Sequence, residues 1–184
     1  MIPRRKLITD GFFAAGLLFL PQLSQSKNSQ INPVVNSTHG PVRGFRDRDI
    51  NIFRGIRYGA DTSKSRFMPP RSPQSWVETI EVFEYGSACP QGSSNENISE
   101  DCLFLNVWTP QADPPRQRPV MFYIHGGAYA HGSGSSPLYD GCELARRGDV
   151  VVVTVNHRLN AFGYLYLQRF DKNFAIPVIA GSWI

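Results

Sequence analysis

The residues best placed to do chemistry lie at 120–129, where the apolar run Val120, Met121, Phe122, Tyr123, Ile124 passes without a polar linker into His125, Gly126, Gly127, Ala128 and Tyr129. A buried strand is expected to end there and a bare backbone turn to begin. Successive glycines take up conformations closed to residues with a Cβ, so amide N–H groups can be aimed outward at a small anion. Such donors suit a carbonyl oxygen that becomes negatively charged under nucleophilic attack. The usual partner of this kind of turn is a serine on a G-x-S-x-G elbow, a pattern that occurs nowhere in the 184 residues. One half of a catalytic site is expected here without the other. Gly132, Ser133 and Gly134 invite a phosphate-loop alternative. It fails on context, because no Lys-Ser or Lys-Thr follows the glycines and the G-x-G-x-x-G spacing breaks at Pro137.

The elements that must position this turn can be traced along the chain. Residues 33–54 alternate short β-branched and aromatic runs with turn residues, the pattern of antiparallel hairpins. Residues 58–76 are dense in Gly, Ser, Arg and Pro and are expected to form an irregular covering loop. Strands are predicted at 103–108, 120–124 and 150–155. The last is a continuous β-branched run that suits a strand buried on both faces. A helix predicted at 138–147 supplies the crossover that a parallel pair needs.

Composition narrows the class. With 41% hydrophobic and 18% charged residues, the chain suits one globular domain rather than a disordered or fibrous polymer. The formal charge of +4 is spread along the chain, so nucleic-acid binding has no support. Arg4, Arg5 and Lys6 precede an apolar stretch at 12–20 that is too short to span a bilayer, and Ser24, Gln25 and Ser26 offer a small-x-small cleavage pattern. Residues 1–26 are therefore expected to be a signal peptide, directing an exported protein, periplasmic or secreted, with no stable membrane anchor. Residues 3–8 also resemble a twin-arginine signal, which leaves both export routes open. Cys89 and Cys102 flank a segment rich in Gly, Ser and Asn and are expected to pair as a disulfide, cutting unfolded-state entropy by about 3 kcal/mol. Cys142 is expected in a short helix as a small apolar residue. Neither spacing is that of a zinc site, and no metal is expected.

Five short motifs then stand in one order: residues 53–58, 66–70, 99–107, 125–129 and 156–164. In that order they resemble the type B carboxylesterases, which include the cholinesterases, over about residues 33–174. The Glu100, Asp101, Cys102, Leu103, Phe104, Leu105, Asn106 segment is the most specific of them. The resemblance implies the N-terminal part of an α/β-hydrolase fold, incomplete, with a mixed, mostly parallel central sheet preceded by antiparallel hairpin strands. It implies that the oxyanion donors are the amides of Gly127 and Ala128, with Gly126 shaping the turn and a third donor following the absent nucleophile. Tyr129 falls where the family places an aromatic near the acyl pocket, and an ordinary packing aromatic is the alternative. Arg66 and Glu100 look like a structural ion pair of the family, whose breakage would cost about 3–5 kcal/mol if it is buried, and Asp101 and Arg158 like scaffold residues. None of His39, His125, His131 and His157 suits the general base. In this fold the order is nucleophile, acid, then His, so all three are expected beyond residue 184.

The implied activity is hydrolysis of a small-molecule carboxylic ester by a serine esterase, without cofactor. A non-catalytic adhesion domain of the same fold is the alternative. Residues 27–175 are assigned to the carboxylesterase type B domain, and residues 176–184 diverge from it. One synonymous coding of that tail, read with a single added base, gives Asp-Ser-Gly-Asn-Ser-Gly-Lys-Leu-Asp, which resembles the family's continuation. A frameshifted, truncated product is one expectation; a natural short protein or a cut at a chosen boundary is the other. Without its nucleophile the chain is expected to be inactive alone, with residues 120–124 left as an apolar sheet edge.

Overall fold

The computed structural model describes residues 32–92, 94, 96–112 and 117–174. The expected signal peptide at 1–26 and the divergent tail at 176–184 lie outside them. Eight strands form two sheets. In the smaller, β1 (Val34–Asn36) pairs antiparallel with β2 (Pro41–Arg43), which pairs parallel with β5 (Ile80–Glu81). The larger runs in the order β3 (Phe45–Asp47), β4 (Ile50–Arg57), β6 (Phe104–Thr109), β8 (Val151–Val155), β7 (Val120–Ile124). Two short helices, α1 (Cys142–Gly148) and α2 (Asn160–Tyr164), precede and follow β8. The sheet is mixed, but the expected parallel majority is not reached among the described residues. The β3–β4, β4–β6 and β6–β8 pairings are antiparallel and the β7–β8 pairing is parallel. The hairpin sequence at the N-terminus extends the central sheet directly, and within that sheet the 125–150 connection, long enough to hold α1, returns the chain parallel.

Each element follows from its residues. Asp47 faces Ile50 in register across a two-residue turn in which Arg48 takes a positive φ of 54°. In β4 the register shifts between Phe53 and Ile56, where Gly55 takes a φ of 68° and its missing Cβ leaves room for the Glu84 carbonyl. Helix α1 presents buried Cys142 and Ala145 to Ile50, Ile52, Trp108 and Val152 of the sheet. A Cβ at Gly141 would stand 2.7 Å from Val152 Cγ1, so the helix can approach this closely because that position is glycine. On the other side, Val42 of the small sheet packs with Phe53 and Val82.

A buried polar network ties this core to the segment beyond β7. Asn106 and Thr154 stand opposite each other in the β6–β8 register. Asn106 Nδ2 donates to Thr154 Oγ1 (3.0 Å) and to the Gly134 carbonyl (3.2 Å), while its Oδ1 accepts the Gly55 amide (2.9 Å). Thr154 Oγ1 donates to the same Gly134 carbonyl (2.7 Å), and the Gly134 amide donates to Asn156 Oδ1 (2.7 Å).

Strand β7 is the exception to this enclosure. All five of its residues are exposed, from 40% at Tyr123 to 60% at Val120, and its outer edge has no strand beside it among the described residues. An apolar edge of this kind is a template for association. Phe122→Lys is expected to raise the monomeric fraction while changing folding stability by less than about 1 kcal/mol. Size-exclusion chromatography with light scattering, alongside urea denaturation, checks both parts.

Candidate functional site

The turn after β7 carries three successive positive φ angles: 126° at Gly127, 54° at Ala128 and 63° at Tyr129. Only the first is glycine, so the other two hold strain of about 1–3 kcal/mol each. The Gly127 carbonyl is drawn inward, accepting the Ala130 amide at 3.0 Å and the His131 amide at 3.2 Å. The Gly127 and Ala128 amides have no acceptor among the described residues. The two glycines differ in what they permit. A Cβ on Gly127 would stand 1.9 Å from the His131 carbonyl oxygen, whereas one on Gly126 would meet nothing within 4 Å. Gly127 is required by the turn itself, and Gly126 keeps the space beside it empty.

The strain is held by amide side chains that sequence reasoning missed. The Asn160 amide donates to the Tyr129 carbonyl (2.8 Å), and Asn160 Nδ2 donates to the carbonyls of Ala130 (3.0 Å) and Pro90 (3.2 Å). Gln91 grips Gly132 from both sides, with Oε1 accepting its amide (2.8 Å) and Nε2 donating to its carbonyl (3.1 Å). Asn160 could have been found, since it opens α2 at a φ of 52°, which Asn tolerates better than most residues. Gln91 gave no such signal. The glycines at 132 and 134 have their amides committed to Gln91 and Asn156, consistent with rejecting a phosphate loop. Ser133 Oγ donates to Glu96 Oε2 at 2.5 Å and is a structural hydroxyl.

Beside the Gly126–Ala128 backbone lies a cavity of about 340 Å³ whose lining includes Tyr129, His157 and Tyr164 and no Asp, Glu, Lys or Arg. Tyr129 is 67% exposed at its rim and packs on Tyr164 with ring centroids 4.7 Å apart. His125 and His157 stack beneath the turn, centroids 4.4 Å apart and planes 20° apart. His125 Nδ1–H donates to the Gly126 carbonyl at 2.9 Å. Burial lowers the pKa of both rings. For His157, burial and then the neighbouring His125 push it down to about 4, and its Nδ1 is buried with no hydrogen-bond partner among the described residues.

The remaining predicted residues form a scaffold behind the site. Arg66 Nε donates to Glu100 Oε2 at 2.9 Å, and Arg66 Nη2 bonds Glu100 Oε1. The pair is not buried, since the Arg66 side chain is 53% exposed, so the energetic weight expected of a buried pair does not apply. The neighbouring Asp101 takes a two-point bond from Arg57, at 2.5 and 2.7 Å, a partner the sequence did not reveal. Arg158 is buried and donates to the Met68 carbonyl at 2.8 Å. The disulfide expected between Cys89 and Cys102 is not formed; both are buried thiols. They meet as a hydrogen-bonded pair instead. Cys102 donating to Cys89, with the Leu159 amide 3.0 Å from Cys89 Sγ, lowers the pKa of Cys89, and that of Cys102 is pushed up. Cys142 lies in α1 as expected. Among the described residues no group of three or more His, Cys, Asp or Glu could hold a metal ion, and no helix is long and apolar enough to cross a membrane.

Residues 31–177 match the family model described as "Carboxylesterase family". The chain is 39% identical to the para-nitrobenzyl esterase of Bacillus subtilis over 77% of its own length and 31% of that protein. It is 33% identical to an acetylcholinesterase of Leptinotarsa decemlineata over 80% of its length and 28% of that enzyme. Its fold superposes on the crystal structure of a Geobacillus stearothermophilus carboxylesterase with a TM-score of 0.75 at 43% identity, covering 80% of this chain and 31% of the other. The chain thus spans about a third of the length of these proteins.

Two outcomes follow for stability. Gly127→Ala should destabilise the chain by about 2–4 kcal/mol, because a Cβ cannot coexist with the His131 carbonyl. Gly126→Ala should stay within about 0.5 kcal/mol of the parent. Urea midpoints separate the two. The buried histidines set the pH dependence. Folded His157 stays neutral down to about 4 while the unfolded ring takes up a proton near 6.5, so stability is flat above that pH and falls between about 6.5 and about 4. Urea midpoints across that window should decline in the parent and decline less in His157→Phe.

Proposed function

The chain belongs to the carboxylesterase family, and we propose that it is the N-terminal part of an exported serine carboxylesterase whose oxyanion donors are the Gly127 and Ala128 amides. The observation that carries this reading is the pair of amides without acceptors, beside a cavity that a Cβ at Gly126 would begin to fill. An ester carbonyl seated there would lie against both donors. Serine attack converts it to a tetrahedral oxyanion, the fixed N–H dipoles strengthen their bonds as charge develops, and collapse expels the alcohol. Water then releases the acyl group. The strained turn is set before substrate arrives, so little reorganisation is needed at the moment of reaction. A non-catalytic adhesion domain has no use for donors kept free in this way.

The nucleophile, acid and base are not supplied by these 184 residues, which hold no G-x-S-x-G, so the chain alone turns over no ester. Its substrate in the intact enzyme is a small-molecule carboxylic ester. No cofactor takes part. Export by the signal at 1–26 to the periplasm or medium would place Cys89 and Cys102 in an oxidising compartment.

The test is a chimera in which residues 32–174 replace the matching third of the Bacillus subtilis para-nitrobenzyl esterase. It should hydrolyse p-nitrophenyl acetate, and Gly127→Ala should lower its kcat on the order of 100- to 1000-fold by misdirecting the donors. The isolated chain should show no turnover. A Gly127→Ala chimera with unchanged kcat would remove the oxyanion assignment.

A further inference from the structure

We infer that His157 is a positioning residue for the turn, its neutral ring holding the Gly127 and Ala128 amides in place through the stack on His125. This role rests on the reading of those amides as oxyanion donors.

The geometry forms a short chain of contacts. The His157 ring lies on the His125 ring at 4.4 Å. His125 Nδ1–H holds the Gly126 carbonyl at 2.9 Å, and that peptide leads directly into the left-handed residues. Gly132 lies against the Nδ1 edge of His125, where a Cβ would stand 2.6 Å from both His125 Nδ1 and the Gly126 oxygen. His125 thus packs against both the Gly132 backbone and His157, and turning the Gly126 carbonyl breaks its bond to His125. Gln91 fixes Gly132 from outside. His157 forms the wall against the face of the ring.

That wall is sensitive to a proton. His157 is 5% exposed and its Nδ1 has no partner, so a proton there would have no acceptor and would face a second imidazole. The groups around it do not compensate. Tyr164 from α2 stands at right angles to its ring, 6.2 Å away, and His125 from the end of β7 opposes its charge. Glu96 favours and His131 disfavours a proton on His125, and neither contributes at His157. Protonation of His157 therefore opens the stack, frees His125 and lets the strained residues 128 and 129 relax. The donors lose their aim while the network on Asn106 still holds the sheet. A residue that merely fills space would show no such linkage between its own titration and the turn amides.

The experiment labels the full chain with ¹⁵N at glycine and alanine and follows the amide spectrum from neutral pH through about 4. The Gly127 and Ala128 resonances should move with the same midpoint as the His157 ring protons, while Gly55 and Gly141 in the sheet and helix stay fixed. His157→Phe, which keeps a flat ring without a titrating nitrogen, should retain the neutral-pH positions and lose the movement. The proposal is overturned if these amides stay fixed while His157 titrates, or if they move in His157→Phe with the parent midpoint. Should the isolated chain precipitate, the same labels in the chimeric esterase give the same readout. The two proposals fail separately: unchanged kcat in the Gly127→Ala chimera removes the oxyanion role alone, and amides that ignore His157 remove the positioning role alone.

Discussion

The polar contact between Asn106 and Thr154 is the constraint on which the rest of the architecture depends. The two side chains face each other across the central β6–β8 pair, and both bond one loop carbonyl, that of Gly134. An amide and a hydroxyl buried in this position would each cost about 1–3 kcal/mol if left without partners. Their only complete solution brings in the 132–135 segment from above and Gly55 from the neighbouring strand. Gly134 can come that close because a Cβ there would stand 2.8 Å from the Val155 backbone. The exit of the turn is thereby fixed to the most enclosed part of the sheet. Asn156 extends the same link, donating to the Ser87 carbonyl while its own carbonyl accepts the Tyr58 hydroxyl at 2.6 Å.

The entry of the turn is held quite differently. It leaves β7, which among the described residues pairs with β8 alone and presents every residue to solvent. A segment with one ladder partner and little buried apolar surface belongs to the low end of local stability. The Gly127 and Ala128 amides therefore lie between a rigid anchor and a weak one. Strain at Ala128 and Tyr129 persists because Asn160, Gln91 and the histidine stack over-determine the backbone from three directions, which β7 could not do. The covering loop at 58–76 shows the same economy of apolar contact. It is fastened by carbonyl and carboxylate contacts, including Arg158 to Met68 and Thr62 to the Glu100 carbonyl, more than by a core of its own.

Much of this was legible in the residues, for identifiable reasons. The β-branched run of β8 and the glycine pair after β7 are local signals whose structural meaning does not depend on distant contacts. The helix between them was legible as a crossover, and Cys142 as one of its apolar residues. The anchors were not. Asn106 and Gln91 look like ordinary polar residues until the sheet order shows what stands opposite them, and their long-range partners lie 28 to 51 residues away. Asp101 was visible as a scaffold residue but its partner Arg57 was not, because nothing local distinguishes that arginine from its neighbours. The hydrophobic run of β8 left its neighbours' direction open, since it is the same whether they run with it, as β7 does, or against it, as β6 does.

The thiol pair shows why proximity read from sequence is a weaker statement than bonding. The loop between Cys89 and Cys102 does return, and the two sulfurs meet in a buried cluster with Leu103 and Leu159. The same cluster holds the Arg158 cation nearby, whose pKa burial depresses while the facing thiols and Tyr58 favour its charge. A buried cation tolerates electron-rich neighbours, and the Leu159 amide adds a donor directed at Cys89. These contacts give the Cys89 sulfur a role as acceptor in the reduced pair. A disulfide would remove the bond between the thiols and weaken the sulfur as a partner for Arg158. Which form persists is then set by the redox poise around the chain against these specific contacts, and the spacing of the cysteines cannot encode that balance.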